Sequence, residues 1–295
     1  AWNRQMTRDT KGLLLIFAAA LVWSVNSVLI KSLSLNALTI AGMRALFAGV
    51  FYAAFIRPKK IEWNWKLLLT LVVFTVQSAC IVMAVKKTSA AIAIGMQFTA
   101  PIWIYAASRI KGCPFYFRRA LPLYVLALGV IVSMFSRAES VTLEGNLIAL
   151  STGATFALLT MLNKNVGSDN PIGLVGLENL FMAAVLLPLF CRDSLPELMS
   201  IGTTSWVLLA VLGIGQFGLG YVLYTVGLRY TSSARASMVS PVEMVLSPLW
   251  VALFIGEMPD LIGIAGFALI IAGIALEVVF TQKYAKAAKL AAQEG

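Results

Sequence analysis

The sequence predicts an all-α integral membrane protein, with ten transmembrane helices arranged as two inverted five-helix repeats. Three observations predict it. Of the 295 residues, 60% are hydrophobic and 12% charged, with a mean hydropathy of +0.87, whereas a soluble domain is roughly a quarter charged. Apolar runs of about 20 residues recur along the whole length, as a helix rising 1.5 Å per residue needs to cross a hydrocarbon core about 30 Å thick. The second half of the chain also repeats the first in order.

The first span, 12–30, is longer than the apolar region of a signal peptide and is followed by Lys31, so it reads as a retained helix. The spans 38–56, 66–85, 89–108 and 119–135 complete the first half. The second half contributes 145–163, 171–190, 206–227, 236–255 and 261–280. Connections are short and leave no room for a separate soluble domain. Trp63, Trp65 and Trp206 lie at span ends, where indole rings anchor a helix at the membrane surface. The first five residues and the segment after Thr281 stay outside the fold argument.

With the N-terminus in the cytoplasm, seventeen Lys and Arg fall on the inner side. Five fall outside: Lys31, Lys86, Lys87, Arg137 and Arg192. Arg44 lies within a span. Basic residues in short cytoplasmic loops orient membrane proteins, so both termini are expected in the cytoplasm and the chain in an inner (plasma) membrane. The net charge of +10 is this loop bias rather than a nucleic-acid-binding stripe, and no nucleic-acid partner is expected.

The repeat extends through all five spans. A shift of 133 aligns Gly12 with Gly145, Leu29 with Leu162 and Lys31 with Lys164. At 134, Gly42, Leu46 and Phe47 meet Gly176, Leu180 and Phe181. At 141, Trp65 meets Trp206; at 143, TSAAIA (88–93) meets TSSARA (231–236); at 144, Gly112 and Gly129 meet Gly256 and Gly273. The offset changes in or beside connections, where insertions are tolerated. The two units are 1–137 and 138–295. Five is odd, so the second copy enters the membrane from the opposite side. Inverted repeats of this kind are a construction of secondary transporters, whose halves rock around a midplane site.

The chain resembles the drug/metabolite transporter superfamily, and within it the EamA-type members. The residues that carry the resemblance are the Trp and Asn of LVWSVNSVLIK (21–31), the stretch TSAAIAIGMQFTAPIW (88–103), and TSSARASMVSPVEMVLSPLWVALFIGE (231–257) with its closing Gly256–Glu257. The chain departs from the pattern in having Glu243–Met244 where Glu-Pro is frequent, with prolines at Pro241 and Pro248, and Gly112–Cys113 where Gly-Glu is usual. The resemblance implies that spans 1–4 and 6–9 surround a central cavity, with 5 and 10 peripheral. It also implies a small polar metabolite, such as an amino acid or amine, moved outward.

Three charges stand well inside spans: Arg44, Glu178 and Glu243. A charge at bilayer depth costs roughly 2.5–3.5 kcal/mol on insertion scales, so it faces the protein interior and has a partner or a task. Arg44 and Glu178 occupy the same position of the repeated unit with opposite sign. Each lies about 10 Å from the membrane surface at which its own helix starts. Either they pair, or they line the path on opposite sides of the midplane, where a zwitterion could use both. Glu178 and Glu243 are the proton-coupling candidates, because a buried carboxylate can bind and release a proton. Asn26, Gln77, Gln97, Asn179 and Gln216 can bond substrate or tie helices together. Trp23, Tyr221 and Tyr224 offer apolar walls or a face for an amine. These eleven residues form the candidate substrate site. An importer of a cationic nutrient or quaternary amine, held by the two glutamates and the aromatic rings, is the alternative; a channel is a further rival.

Other chemistry finds little footing. There is no histidine, and Cys80, Cys113 and Cys191 show no metal-ligand spacing. All four aspartates (Asp9, Asp169, Asp193 and Asp260) lie outside the spans, against an intramembrane aspartyl protease. GIGQFG (213–218) fits the dinucleotide fingerprint but lies in a membrane span with no strand before it, and no Walker A motif is present. No enzyme, metal or cofactor is expected; the partners are a small-molecule substrate, membrane lipid and a proton as coupling ion. Gly263, Gly266 and Gly273 on the last span suit either packing within the chain or a homodimer.

Overall fold

The structure, a computed structural model, describes residues 2–55, 63–110, 117–163, 166, 170–190, 194–231 and 242–294. Lys164, Gly112–Cys113, Asp169, Cys191, Arg192, Asp193, Pro241 and the stretch 236–240 lie outside the described residues. So do Arg57, Lys59, Lys60, Lys111 and Arg235 of the charge count. Every regular element among the described residues is a helix. Eight stretches are long and apolar enough to cross a membrane: Thr10–Lys31, Ala37–Ala54, Trp65–Lys87, Ala90–Ala107, Leu143–Leu162, Ile172–Phe190, Thr203–Gly227 and Leu261–Phe280. Two shorter apolar helices, Ala120–Ser133 and Val242–Ile255, stand where the fifth and ninth spans are expected.

In chain order the helices are α1 (Trp2–Ser24), α2 (Asn26–Lys31), α3 (Ala37–Phe55), α4 (Trp65–Lys87), α5 (Ala90–Gln97), α6 (Ala100–Ile110), α7 (Phe117–Ser133) and α8 (Leu143–Asn163). There follow α9 (Pro171–Phe190), α10 (Leu195–Ser200), α11 (Thr203–Ala210), a π-helical segment (Val211–Leu219), α12 (Gly220–Leu228), α13 (Val242–Ile255) and α14 (Leu261–Glu294). Local chemistry sets several ends. Asn64 caps α4 by accepting from Leu67 N–H at 2.9 Å, and Ser89 caps α5 by accepting from Ile92 N–H at 3.3 Å. The fourth expected span breaks between α5 and α6 because Pro101 has no N–H to offer the Gln97 carbonyl. Phe98 and Thr99 instead close tight turns onto Gly95 and Met96. The first span is likewise two helices, meeting at Val25. The last runs past the expected 280 to Glu294, carried by an alanine-rich, helix-favouring tail.

Helix pairs cross the midpoint of the chain. α3 lies antiparallel on α9: a Cβ added at Gly42 would stand 2.8 Å from Leu187 Cδ2, one at Gly49 would meet Leu180, and one at Gly176 would meet Tyr52 Cβ at 2.9 Å. α7 lies antiparallel on α14, with Gly129 against Ile270 and Gly273 against Leu126. Gly263 and Gly266 pack there too, against Ser136 and Ser133, so all three glycines of the last span are engaged within the chain. α4 packs on α8, and α1 on α12. Lipid is as apolar as leucine, so such contacts hold through close van der Waals approach, which small residues permit.

Candidate functional site

Where α2, α3, α4 and the π-helical segment meet, Arg44 is buried to 2% exposure. Its Nη1 donates to Asn26 Oδ1 at 3.3 Å, and its Nη2 to the Ser78 carbonyl at 3.3 Å and Ser78 Oγ at 2.9 Å. The Phe217 ring lies 4.6 Å from the guanidinium carbon, a cation–π arrangement. Every one of these partners is neutral. No carboxylate lies within ion-pair distance of Arg44 among the described residues, so Arg44 and Glu178 are not a salt bridge in this structure.

The wide turn of the π-helical segment shapes this corner. A π-helix is rare beyond one turn and is frequent at functional sites; here it spans nine residues and contains GIGQFG. Gly213 lets it close on α3: a Cβ there would stand 2.6 Å from both the Arg44 carbonyl and Phe47 Cβ. The Gly218 carbonyl accepts the Tyr52 hydroxyl at 3.1 Å. Phe217 is thereby placed over Arg44, and it continues into a wall of rings. Phe217 and Tyr221 centroids are 5.2 Å apart, Tyr221 and Trp23 5.1 Å, Trp23 and Tyr224 5.3 Å. Such spacings suit edge and tilted ring contacts.

Glu178 on α9 is 1% exposed, and its Oε1 has no hydrogen-bond partner. Tyr52 and Tyr221 lie within its electrostatic reach, and Tyr221 also lies within reach of Arg44 and Glu243. Glu243 is half-buried in the first turn of α13. Gln216 is buried beside Phe217 with its Oε1 unpartnered, as is the Trp23 Nε1. An unpaired buried polar group is costly unless something else satisfies it.

The remaining candidates are less central. Asn179 turns back on its own helix, donating to the Val175 carbonyl at 2.8 Å. Gln77 is buried next to Ser78 on α4, and Gln97 is half-buried at the α5–α6 break. Ser78, Phe217 and Tyr52 were not singled out from the sequence. Phe217 sits within the GIGQFG stretch; Ser78 and Tyr52 carry no comparable signal in the sequence.

The sequence profile of the EamA-like transporter family matches this chain twice, over residues 10–135 and 143–279. The chain belongs to the EamA-like transporter family. An uncharacterized transporter of Archaeoglobus fulgidus is 24% identical over 261 residues, covering 88% of this chain and 93% of the relative. An uncharacterized inner membrane transporter of Salmonella typhimurium is 24% identical over 312 residues, 96% of this chain and all of the relative. A solved crystal structure shares the fold with a TM-score of 0.59 at 16% identity, covering 92% of this chain and 98% of that one. This EamA-like chain is therefore a multi-pass membrane protein, and a transporter by family.

Proposed function

We propose that this protein is a secondary active transporter of the inner membrane that exports a small polar organic metabolite, such as an amino acid or amine, by alternating access. Its two inverted five-helix halves, 1–137 and 138–295, enclose the site, and both termini lie in the cytoplasm. The observation that carries this reading is the relation of Arg44 to Glu178. They occupy the same position of the repeated unit, on antiparallel partner helices, both buried, and neither neutralises the other. A cation held only by neutral groups and an anion with a free oxygen suit a substrate that brings both opposite charges.

The duplication is supported by the family profile matching each half and by contacts that repeat under the exchange of halves. The offset of 134 turns the Gly42–Leu186 contact into Gly176–Tyr52, and the offset of 144 turns Gly129–Ile270 into Gly273–Leu126. In this reading Trp23, Asn26, Gln77, Gln97, Asn179, Gln216, Tyr221 and Tyr224 complete the lining, and Glu178 and Glu243 exchange protons. A thermal-shift screen of purified protein against amino acids and amines, followed by proteoliposome flux with and without a pH gradient, tests it. The reading expects saturable counterflow of the stabilising ligand, abolished by Arg44→Ala and uncoupled from the gradient by Glu178→Gln. Unsaturable flux would mean a pore, and unchanged kinetics in both variants would remove the site.

The ring wall of Trp23, Tyr221 and Tyr224 beside two carboxylates favours a second reading, import of a cationic nutrient or quaternary amine. That reading predicts inward flux of a cation that survives Arg44→Ala.

A further inference from the structure

The helix ends assigned to the outside by the charge bias are tied together across the two halves by one shielded ion pair. Lys31, the last residue of α2, places its Nζ 2.5 Å from Glu257 Oε2, with the side chains 10% and 13% exposed. Glu257 follows Gly256, whose φ of +79 is a left-handed conformation that costs a residue with a Cβ. This sharp reversal after α13 turns the carboxylate back over the helix ends. The other carboxylate oxygen accepts from Ala90 N–H, the first residue of α5, at 3.1 Å. Lys31 Nζ also donates to the Thr88 carbonyl at 3.2 Å. One carboxylate from the second half therefore holds both the end of α2 and the start of α5 from the first.

We propose that Lys31, Glu257 and the Ala90 N–H form a latch that keeps the outer mouth of the translocation path shut and opens whenever the path faces outward. The latch rests on the alternating-access reading above. α13 packs directly on both α2 and α5, so parting the halves on this side must break it. The neighbouring pair Lys87–Glu144 is 40% and 64% exposed, where solvent and salt screen an ion pair to little effect. The shielded pair is the stronger restraint. The latch is also one-sided in sequence. The offset of 144 that relates Gly112 to Gly256 puts Cys113 at the position of Glu257, so the repeat supplies no second carboxylate. The pair therefore favours the outer-closed arrangement over the outer-open one.

Spin labels at Ser34→Cys and Met258→Cys, both exposed positions flanking the pair, report the width of the outer mouth by pulsed dipolar spectroscopy. The measurement uses the full chain in liposomes with the native cysteines replaced by serine. The latch predicts a dominant short distance. Glu257→Gln keeps an acceptor for Ala90 N–H but loses the charge, and raises the long-distance fraction about tenfold, as one charge-assisted hydrogen bond is worth. Lys31→Met does the same, and the double variant goes no further than either single one. A Glu257→Gln distribution that superimposes on the parent overturns the latch. A lowered melting temperature with unchanged distances also overturns it, because a purely structural ion pair gives that result. Flux in the same liposomes separates the two claims. Shifted distances with no flux of amino acids or amines in the parent uphold the latch and remove the proposed substrate class; such flux with immobile distances does the reverse.

Discussion

Arg44 owes its position to three helices, and its chemistry is that of a fork rather than a point charge. Asn26 and Ser78 hold both terminal nitrogens, a geometry that an ammonium cannot reproduce. Arg44→Lys is expected to leave the protein folded but to raise the half-saturating substrate concentration at least about tenfold, the equivalent of one charged hydrogen bond; an unchanged concentration dependence of flux contradicts it. Ser78→Ala removes the 2.9 Å contact and keeps the carbonyl, and is expected to cost about 1.5 kcal/mol in chemical unfolding. At the surface, Asp260 accepts from Ser136 Oγ–H at 2.6 Å and from Arg137 N–H at 2.9 Å, which holds its carboxyl below the usual carboxylate range. A depressed folded-state value means stability that is present above the ordinary carboxylate range and lost as pH falls through the folded value. Asp260→Asn is therefore expected to melt slightly lower than the parent at neutral pH, and the two melting curves to converge in acid. At this scale the sequence was readable where a charge interrupts an apolar run, as at Arg44, Glu178 and Glu243. Ser78 was not, because a serine in a membrane helix is ordinary and only the rotation of α4 against α3 gives it a guanidinium to hold.

Span lengths were legible because the bilayer fixes how much apolar chain a helix needs, and eight of the expected stretches reappear as helical stretches of that length, three of them assembled from shorter consecutive helices. Pro101 announces the break after Gln97, since a missing N–H acts locally. The π-helical segment had no such announcement: hydrogen-bond register is not written in composition, and GIGQFG promised only close approach or bending. Its packing makes a paired test. Gly213→Ala puts a Cβ 2.6 Å from the Arg44 carbonyl and Phe47 Cβ, whereas a Cβ at Gly215 has Val211 Cγ1 at 3.8 Å as its nearest neighbour. Gly213→Ala should destabilise by about 1–3 kcal/mol, the usual result of overpacking, and lower flux by moving Phe217 off Arg44. Gly215→Ala should leave both unchanged. Equal behaviour of the two variants would show that the wide turn positions nothing.

For the whole molecule, the proposed duplication rests on an ordered series of sequence matches, each weak alone, and on the family profile matching residues 10–135 and 143–279. Which copies touch was not visible, because a sequence does not state which faces of equivalent helices meet. The structure pairs α3 with α9 and α7 with α14, each across the midpoint and antiparallel, so that each half is completed by the other. The central proposal is that one buried site around Arg44 is presented to the two faces of the membrane in turn. A cysteine at Ser78, with the native cysteines replaced by serine, tests that claim directly through membrane-impermeant thiol labelling added to one face of sealed vesicles at a time. Alternating access predicts that the thiol reacts from either face, each more slowly than an exposed control, and that reaction from one face blocks the other. A thiol reached from one face alone under every substrate and pH condition would contradict it.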